Sequence, residues 1–278
     1  MYLKVPKWKY MRNALVLFLL VALILPSCKK DDNGSKEPTQ LVKIVTKQGS
    51  DSTVAEYTFD SQGRFVQERT TETAGTSTDV TTLSLVRDAN GRATRVLESA
   101  TGSDPYTYQT DYVYLNPTDK KIRNGIFKFD FQGLQVTDSI AYTYATKVSK
   151  TNHYYSATGV PLTQAYYYEY SYDGNGNVTQ AKAYQPNSTG VIGLAFTVNF
   201  EYDTKTSPVY FNDDVLVEYI GSQYTSPNNP TKVSVVAADP ADNFTANTVY
   251  EYRSDGRPSK STTTANGNTF ESVYTYKN

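Results

Sequence analysis

The sequence predicts an all-β protein, an antiparallel meander of about 14–17 strands curling into a closed or nearly closed barrel-like shell, with a large β-sandwich as the alternative. Three observations carry this reading. β-forming residues dominate from Leu41 onward, with 25 Tyr and 11 Phe in the chain and Thr and Val throughout. Apolar and polar residues alternate with a period of two, most regularly in Tyr166–Val178, where Tyr166, Tyr168, Tyr170 and Tyr172 share one face and Tyr167, Glu169 and Ser171 the other. Finally, aromatic strands run repeatedly into Asp-x-x-Gly-Arg or a relative of it. So many strands exceed what an open twisted sheet carries without curling, and closure removes free edges.

The chain opens with Lys4, Lys7, Lys9 and Arg12, followed by twelve unbroken apolar residues from Ala14 to Leu25. That run is too short for a bilayer core needing roughly 20 residues, and a basic segment before a short apolar one is the form of a secretory signal. Met11 would make an alternative start for the same signal. Leu25-Pro26-Ser27-Cys28 resembles a bacterial lipobox, which makes Cys28, the only cysteine, the expected lipidation site and residues 1–27 the signal peptide. A lipidated Cys28 leaves no disulfide and no thiol nucleophile. Lys30, Asp31 and Asp32 resemble the surface-export signal of Bacteroidetes lipoproteins, and residues 28–40 read as a polar tether. Signal removal takes four positive charges from a formal net of −1, leaving −5 over 251 residues. An acidic chain without a basic cluster argues against nucleic acid.

Residues 41–278 read as one antiparallel domain. The clearest turn units are Tyr57 to Arg64, Leu85 to Arg92 and Tyr170 to Asn177, with looser copies at Phe129–Gly133, Tyr155–Gly159 and Tyr252–Arg257. The Asp side chain accepts from backbone N–H groups two residues on, and the Gly takes a left-handed position without a Cβ clash. Asn116-Pro117-Thr118-Asp119, Ser207-Pro208 and Pro227-Asn228-Asn229-Pro230 are further expected breaks. Between them, Phe127, Phe129 and Phe131 oppose Lys128 and Asp130, while Phe196, Val198, Phe200 and Tyr202 oppose Thr197, Asn199 and Glu201. A strand is also expected over Val215–Ile220, where the contrast blurs.

The Tyr-x-Tyr-Asp-x-x-Gly-Arg units resemble YD (RHS-type) repeats. Together with the lipobox they resemble a Bacteroidetes lipoprotein domain family of porin-like fold. That resemblance spans most of Leu41–Asn278 and implies a barrel-like architecture with no known activity. Asp51-Ser52-Thr53 and Asp138-Ser139-Ile140 are similar to the O-glycosylation triplets of Bacteroidetes exported proteins, making Ser52 and Ser139 candidate modification sites.

His153 is the only histidine, so a Ser-His-Asp triad or a multi-His metal site must use it or fail. It lies in an expected strand and reads as a surface or satisfied side chain. Neither a Gly-x-Ser-x-Gly elbow nor a phosphate-binding Gly-rich Lys motif occurs. Asp173-Gly174-Asn175-Gly176-Asn177 imitates the start of a calcium loop, but Val178 and Tyr184 stand where its turn glycine and bidentate Glu belong, so a hairpin turn is expected and no metal. Asp111, Asp130, Glu169, Glu201, Asp213, Asp214 and Glu218 could supply a glycosidase pair, yet most sit on polar faces. Tyr166, Tyr168, Tyr170 and Tyr172 could stack on sugar rings, or simply form core. A membrane-spanning barrel would need outward apolar bands that these polar faces lack.

The expectation is a lipid-anchored cell-surface β protein without enzymatic activity or cofactor, with a binding or surface-structural role at the outer membrane. Its surface-exposed location has periplasm-facing as the alternative. A glycan or surface-protein partner is expected. Alternative functions are a glycan-binding accessory lipoprotein of a polysaccharide uptake system and a carboxylate-dependent hydrolase.

Overall fold

The computed structural model describes residues 39–103, 105–131, 134–157, 160–187, 189–211, 213–217 and 224–277, without the side chains of 129–131, 134, 135, 157 and 160–162. Cys28, Lys30, Asp31 and Asp32 lie outside the described residues. Sixteen strands follow one another: β1 (Gln40–Gln48), β2 (Asp51–Phe59), β3 (Phe65–Ala74), β4 (Ser77–Arg87), β5 (Ala93–Thr101), β6 (Tyr106–Tyr114), β7 (Ile122–Phe131) and β8 (Leu134–Tyr144). The second half continues with β9 (Val148–Ala157), β10 (Val160–Tyr172), β11 (Val178–Pro186), β12 (Ile192–Thr206), β13 (Asn228–Ala237), β14 (Phe244–Tyr252), β15 (Pro258–Ala265) and β16 (Asn268–Lys277). Each strand pairs antiparallel with its sequence neighbours, and β1 pairs with β16, so the meander closes into a barrel. The sandwich alternative is excluded.

Alternation sorts the strands into an inner and an outer face. Ile44, Ala55, Tyr57, Leu83, Val96 and Tyr112 are buried on the inner face. The outer face carries cross-strand ion pairs: Lys43–Glu56 at 3.4 Å with Arg69 beside it, Arg95–Asp111 at 2.6 Å, Lys150–Glu169 at 3.6 Å and Lys232–Glu201 at 2.7 Å. These charges lie along the strands, where a lipid-facing band would be apolar. Three of the carboxylates read as hydrolase candidates, Asp111, Glu169 and Glu201, are thus outward ion-pair partners.

The hairpins after the even-numbered strands sit at the end where β1 begins and β16 finishes. Four of them share one geometry, in which the first residue's N–H donates to the fifth residue's carbonyl at Asp60–Arg64, Asp88–Arg92, Asp173–Asn177 and Arg253–Arg257. In each, the glycine has φ between +74° and +86°, where a Cβ is disfavoured. Asn187–Val191 repeats the geometry at the opposite end with Asn as the acceptor, a copy the Asp-based pattern misses.

These units lock to one another. Tyrosines near the ends of even-numbered strands donate their hydroxyls to the carbonyl of a residue just past the previous hairpin: Tyr114 to Ala93 at 2.8 Å, Tyr172 to Val148 at 2.8 Å, Tyr202 to Val178 at 2.7 Å and Tyr276 to Pro258 at 2.7 Å. Where β4 ends in Arg87 instead, its guanidinium reaches the equivalent carbonyl of Phe65 at 2.7 Å. A basic residue of the hairpin then covers the tyrosine ring, as Arg92 does over Tyr114 at 4.5 Å and Lys147 over Tyr172 at 5.5 Å. The Tyr and Arg of the repeated unit therefore act as fasteners between successive hairpins.

Sixteen strands enclose more space than inner-face side chains fill, which is why barrels of this size can hold water. Here the described parts of the β12–β13 connection, residues 207–211, 213–217 and 224–227, turn inward as a plug. Phe211 stacks on Phe65 with centroids 4.1 Å apart, and Val215 and Leu216, both 0 % exposed, join the same core. Burying side chains of this kind contributes about 1.5–3 kcal/mol each. Arg87 fastens the plug through Asp213 at 2.8 Å. The strand expected over Val215–Ile220 is therefore corrected: Asp214–Leu216 form a 3-10 turn, because Val215, Leu216 and Val217 are buried consecutively rather than alternately, and residues 218–220 lie outside the described residues. Pro230, expected in a break, instead belongs to β13, tolerated where the β12 register shifts around Tyr202.

Candidate functional site

The plug fills one part of the lumen and leaves a cavity of about 240 Å³ between β1–β6 and β13–β16. Ser207, Pro208, Val209 and Tyr224 close it at the plug end. Glu72, Glu98 and Tyr106 line it near the other end of the barrel, where they are half-exposed. Ile44, Ala55, Leu83 and Val233 give it an apolar wall, and five tyrosines, Tyr57, Tyr106, Tyr224, Tyr250 and Tyr274, also face it. No Lys, Arg or His belongs to this lining among the described residues.

Strand register arranges its polar groups in a belt. Tyr250 pairs with Ser261, Ser261 with Ser272, Ser272 with Thr46, Thr46 with Thr53, Thr53 with Glu72, and Glu72 with Asp79. Directly paired residues point to the same face, so this row is polar across seven strands. A second row, Tyr57, Glu68, Leu83 and Glu98, places two carboxyl groups on either side of a leucine. Glu68 accepts from the Tyr224 hydroxyl at 2.6 Å and from Thr70 at 3.1 Å, tying the plug to the wall. Glu98 accepts from Tyr106 at 2.6 Å.

Burial raises the pKa of Glu68 and of Glu98, against the lowering influence of these hydroxyl donors. Burial, reinforced by the nearby Asp79 charge, pushes Glu72 up to about 7. No cation in the lining opposes these effects. Glu68, Glu72 and Glu98 were not among the sequence candidates. The signal that finds them is cross-strand register, since each looks like one more polar residue in an alternating strand.

The residues singled out from sequence fall elsewhere. Tyr166 and Tyr168 pack on the inner face of β10, their rings 5.6 Å apart, with His153 stacked on Tyr166 at 4.1 Å. Tyr170 lies next to Tyr168 at 6.4 Å, and Tyr172 is the fastener to Val148. Tyr167, the outward ring, stacks on Tyr184 at 4.3 Å beneath Lys150. His153 is buried, its Nδ1 2.8 Å from Asp138 Oδ2, and Tyr166 donates to the same carboxylate at 3.2 Å. Ser139 is partly exposed between the buried Asp138 and Ile140, and Ser52 is partly exposed near the start of β2. The Asp173 carboxylate accepts from the Asn175 and Asn177 backbones, each at 2.9 Å, and from the Asn177 side chain at 2.8 Å. Those bonds are the turn's own and account for the calcium-like spelling. Asp214 lies in the plug, where burial raises its pKa, while Glu218 and the side chain of Asp130 lie outside the described residues.

No family model and no curated protein matches the chain. Among solved structures it is similar to a porin-like protein from Bacteroides uniformis, at 13% identity and a TM-score of 0.47 over 86% of this chain and 98% of that one. A porin-like protein from Bacteroides vulgatus is similar at 11% identity and a TM-score of 0.43, covering 86% and 99% of the two chains.

Proposed function

We propose that this chain is a non-enzymatic, lipid-anchored envelope protein that binds a small molecule within its barrel. The carrying observation is the cavity. It is walled by apolar and hydrogen-bonding side chains, closed at one end by the plug, and larger than the roughly 150 Å³ void that accommodates benzene. Charged pairs on the exterior favour a barrel held beside the membrane over one embedded in it. Attachment through Cys28 fits that placement, and β1 starts at the plug end, so an anchored barrel would turn its plug toward the bilayer and its cavity mouth away.

Glu68 and Glu98 favour comparison with a carboxylate hydrolase. Such an enzyme needs environments that drive its two carboxyl groups apart, one acid and one base. Here both are displaced upward, and each is tied to a tyrosine. Binding is the better reading.

The test uses the mature protein and the neutral fluorescent probe N-phenyl-1-naphthylamine. Wild type should bind the probe, and Ala55→Trp, which fills the cavity, should weaken binding at least about tenfold with unchanged far-UV circular dichroism. Equal binding by both proteins would sink the proposal. Lipid labelling should depend on Cys28 and vanish in Cys28→Ala.

A further inference from the structure

We infer that the cavity selects an organic cation, a molecule with an apolar body about the size of a substituted phenyl ring and a primary or secondary ammonium at one end. The inference rests on the luminal-binding reading and adds the ligand's chemical class. Its first support is the uneven chemistry of the lining. Apolar groups from β1, β2, β4 and β13 offer a ring-sized body its contacts, whereas every ionisable group other than tyrosine in the described lining is a carboxyl.

The carboxyls are not equivalent. Glu68 and Glu98 are each engaged by a tyrosine hydroxyl, so they are partly satisfied without a ligand. Glu72 faces the cavity beside Asp79, and a neighbouring like charge makes an arriving cation more favourable still.

A second, independent observation lies in the same row. The Thr46 hydroxyl, on a residue 2 % exposed, makes no hydrogen bond within the protein. Thr46 stands between Thr53 and Ser272, both of which line the cavity, and its register places it on the inward face with them. Buried hydroxyls are normally paired, so an unpaired one next to a cavity marks a place where a ligand group completes the bonding. An ammonium carries several donors, and one can go to the Glu72 carboxylate while another goes to Thr46. Such charge-assisted bonds are about twice as strong as neutral ones. An anionic ligand would meet hydroxyl donors and three carboxyl groups but no cation in the described lining, and a neutral one would leave Glu72 uncompensated.

Three compounds of matched shape separate the possibilities: 4-phenylbutylamine, 4-phenylbutanol and 4-phenylbutyrate, each competing with N-phenyl-1-naphthylamine on the mature protein at pH 8. The amine should displace the probe with an affinity at least about tenfold above the alcohol's, and the acid should not displace it. Glu72→Gln should bring the amine to within about threefold of the alcohol, both measured against that variant's own affinity for the probe, and Thr46→Val should weaken the amine in a wild-type Glu72 background. Probe binding combined with equal displacement by amine and alcohol, or with no displacement by any of the three, would overturn the cation class and leave the cavity reading standing. Failure of wild type to bind the probe would overturn both.

Discussion

Glu72 shows how one side chain couples the lumen to pH. Its carboxyl titrates near 7 in the folded barrel and at about 4.5 when exposed. A raised carboxyl pKa means that folding favours the protonated form. The stabilisation is complete below the unfolded value and is lost as pH rises from about 4.5 through 7. The full linkage would be about 3 kcal/mol, which partial exposure reduces to roughly 1–2 kcal/mol. Glu72→Gln should therefore leave stability nearly unchanged at pH 4.5 and raise it at pH 8, as read by urea denaturation at both values.

Arg87 is the residue of opposite character. It donates to Phe65 and Gly91 carbonyls and pairs with Asp213, the two side chains being 11% and 13% exposed. Arg87→Met would strand a buried carboxylate and release the plug, and a loss of about 3–5 kcal/mol is expected in chemical unfolding. Its importance cannot be read from the sequence, because Asp213 is 126 positions away. The fasteners are more modest, and Tyr172→Phe should cost about 1 kcal/mol.

Among the elements, the hairpins were the most legible. Asp173 and Gly176 specify their turn through bonds that close within five residues, which is the range over which sequence alone suffices. Asp173→Ala should cost about 1–2 kcal/mol, and calcium should leave the melting temperature of wild type unchanged, separating a turn aspartate from a metal ligand. Asn177 shows the limit of that legibility. It occupies the unit's Arg position, but its side chain bonds Asn228 across 51 residues at 2.9 Å and fixes the start of β13. The plug was misread for a related reason. Val215 and Leu216 carry strand-forming side chains, and only the presence of an unfilled lumen tells them to fold inward. Replacing residues 208–226 by a short Gly-Ser link should lower the melting temperature and expose the Phe65 side of the core, visible as increased proteolysis at that end.

For the whole molecule, strand count and alternation predicted an antiparallel shell, closed or nearly closed, because both are properties of residues close in sequence; they left a sandwich open, and the β1–β16 pairing decides for the barrel. The cavity was not predictable in that way. Thr46, Thr53 and Glu72 become one polar row only after three strands take a particular register, and Ser272 joins them only when the last strand meets the first.

That final pairing governs how the chain reaches its fold. Every other pairing joins strands consecutive in the chain, by short turns except at the plug between β12 and β13, whereas β1 meets β16 across more than two hundred residues, with Gln40 opposite Lys277. Hairpins can zip locally and early, but the seam must wait for the last strand, and until then two unpaired edges remain open to other chains. The closing step is thus the slow and vulnerable one. A chain lacking β16 should retain much of its hairpin structure and still aggregate through the edges of β1 and β15.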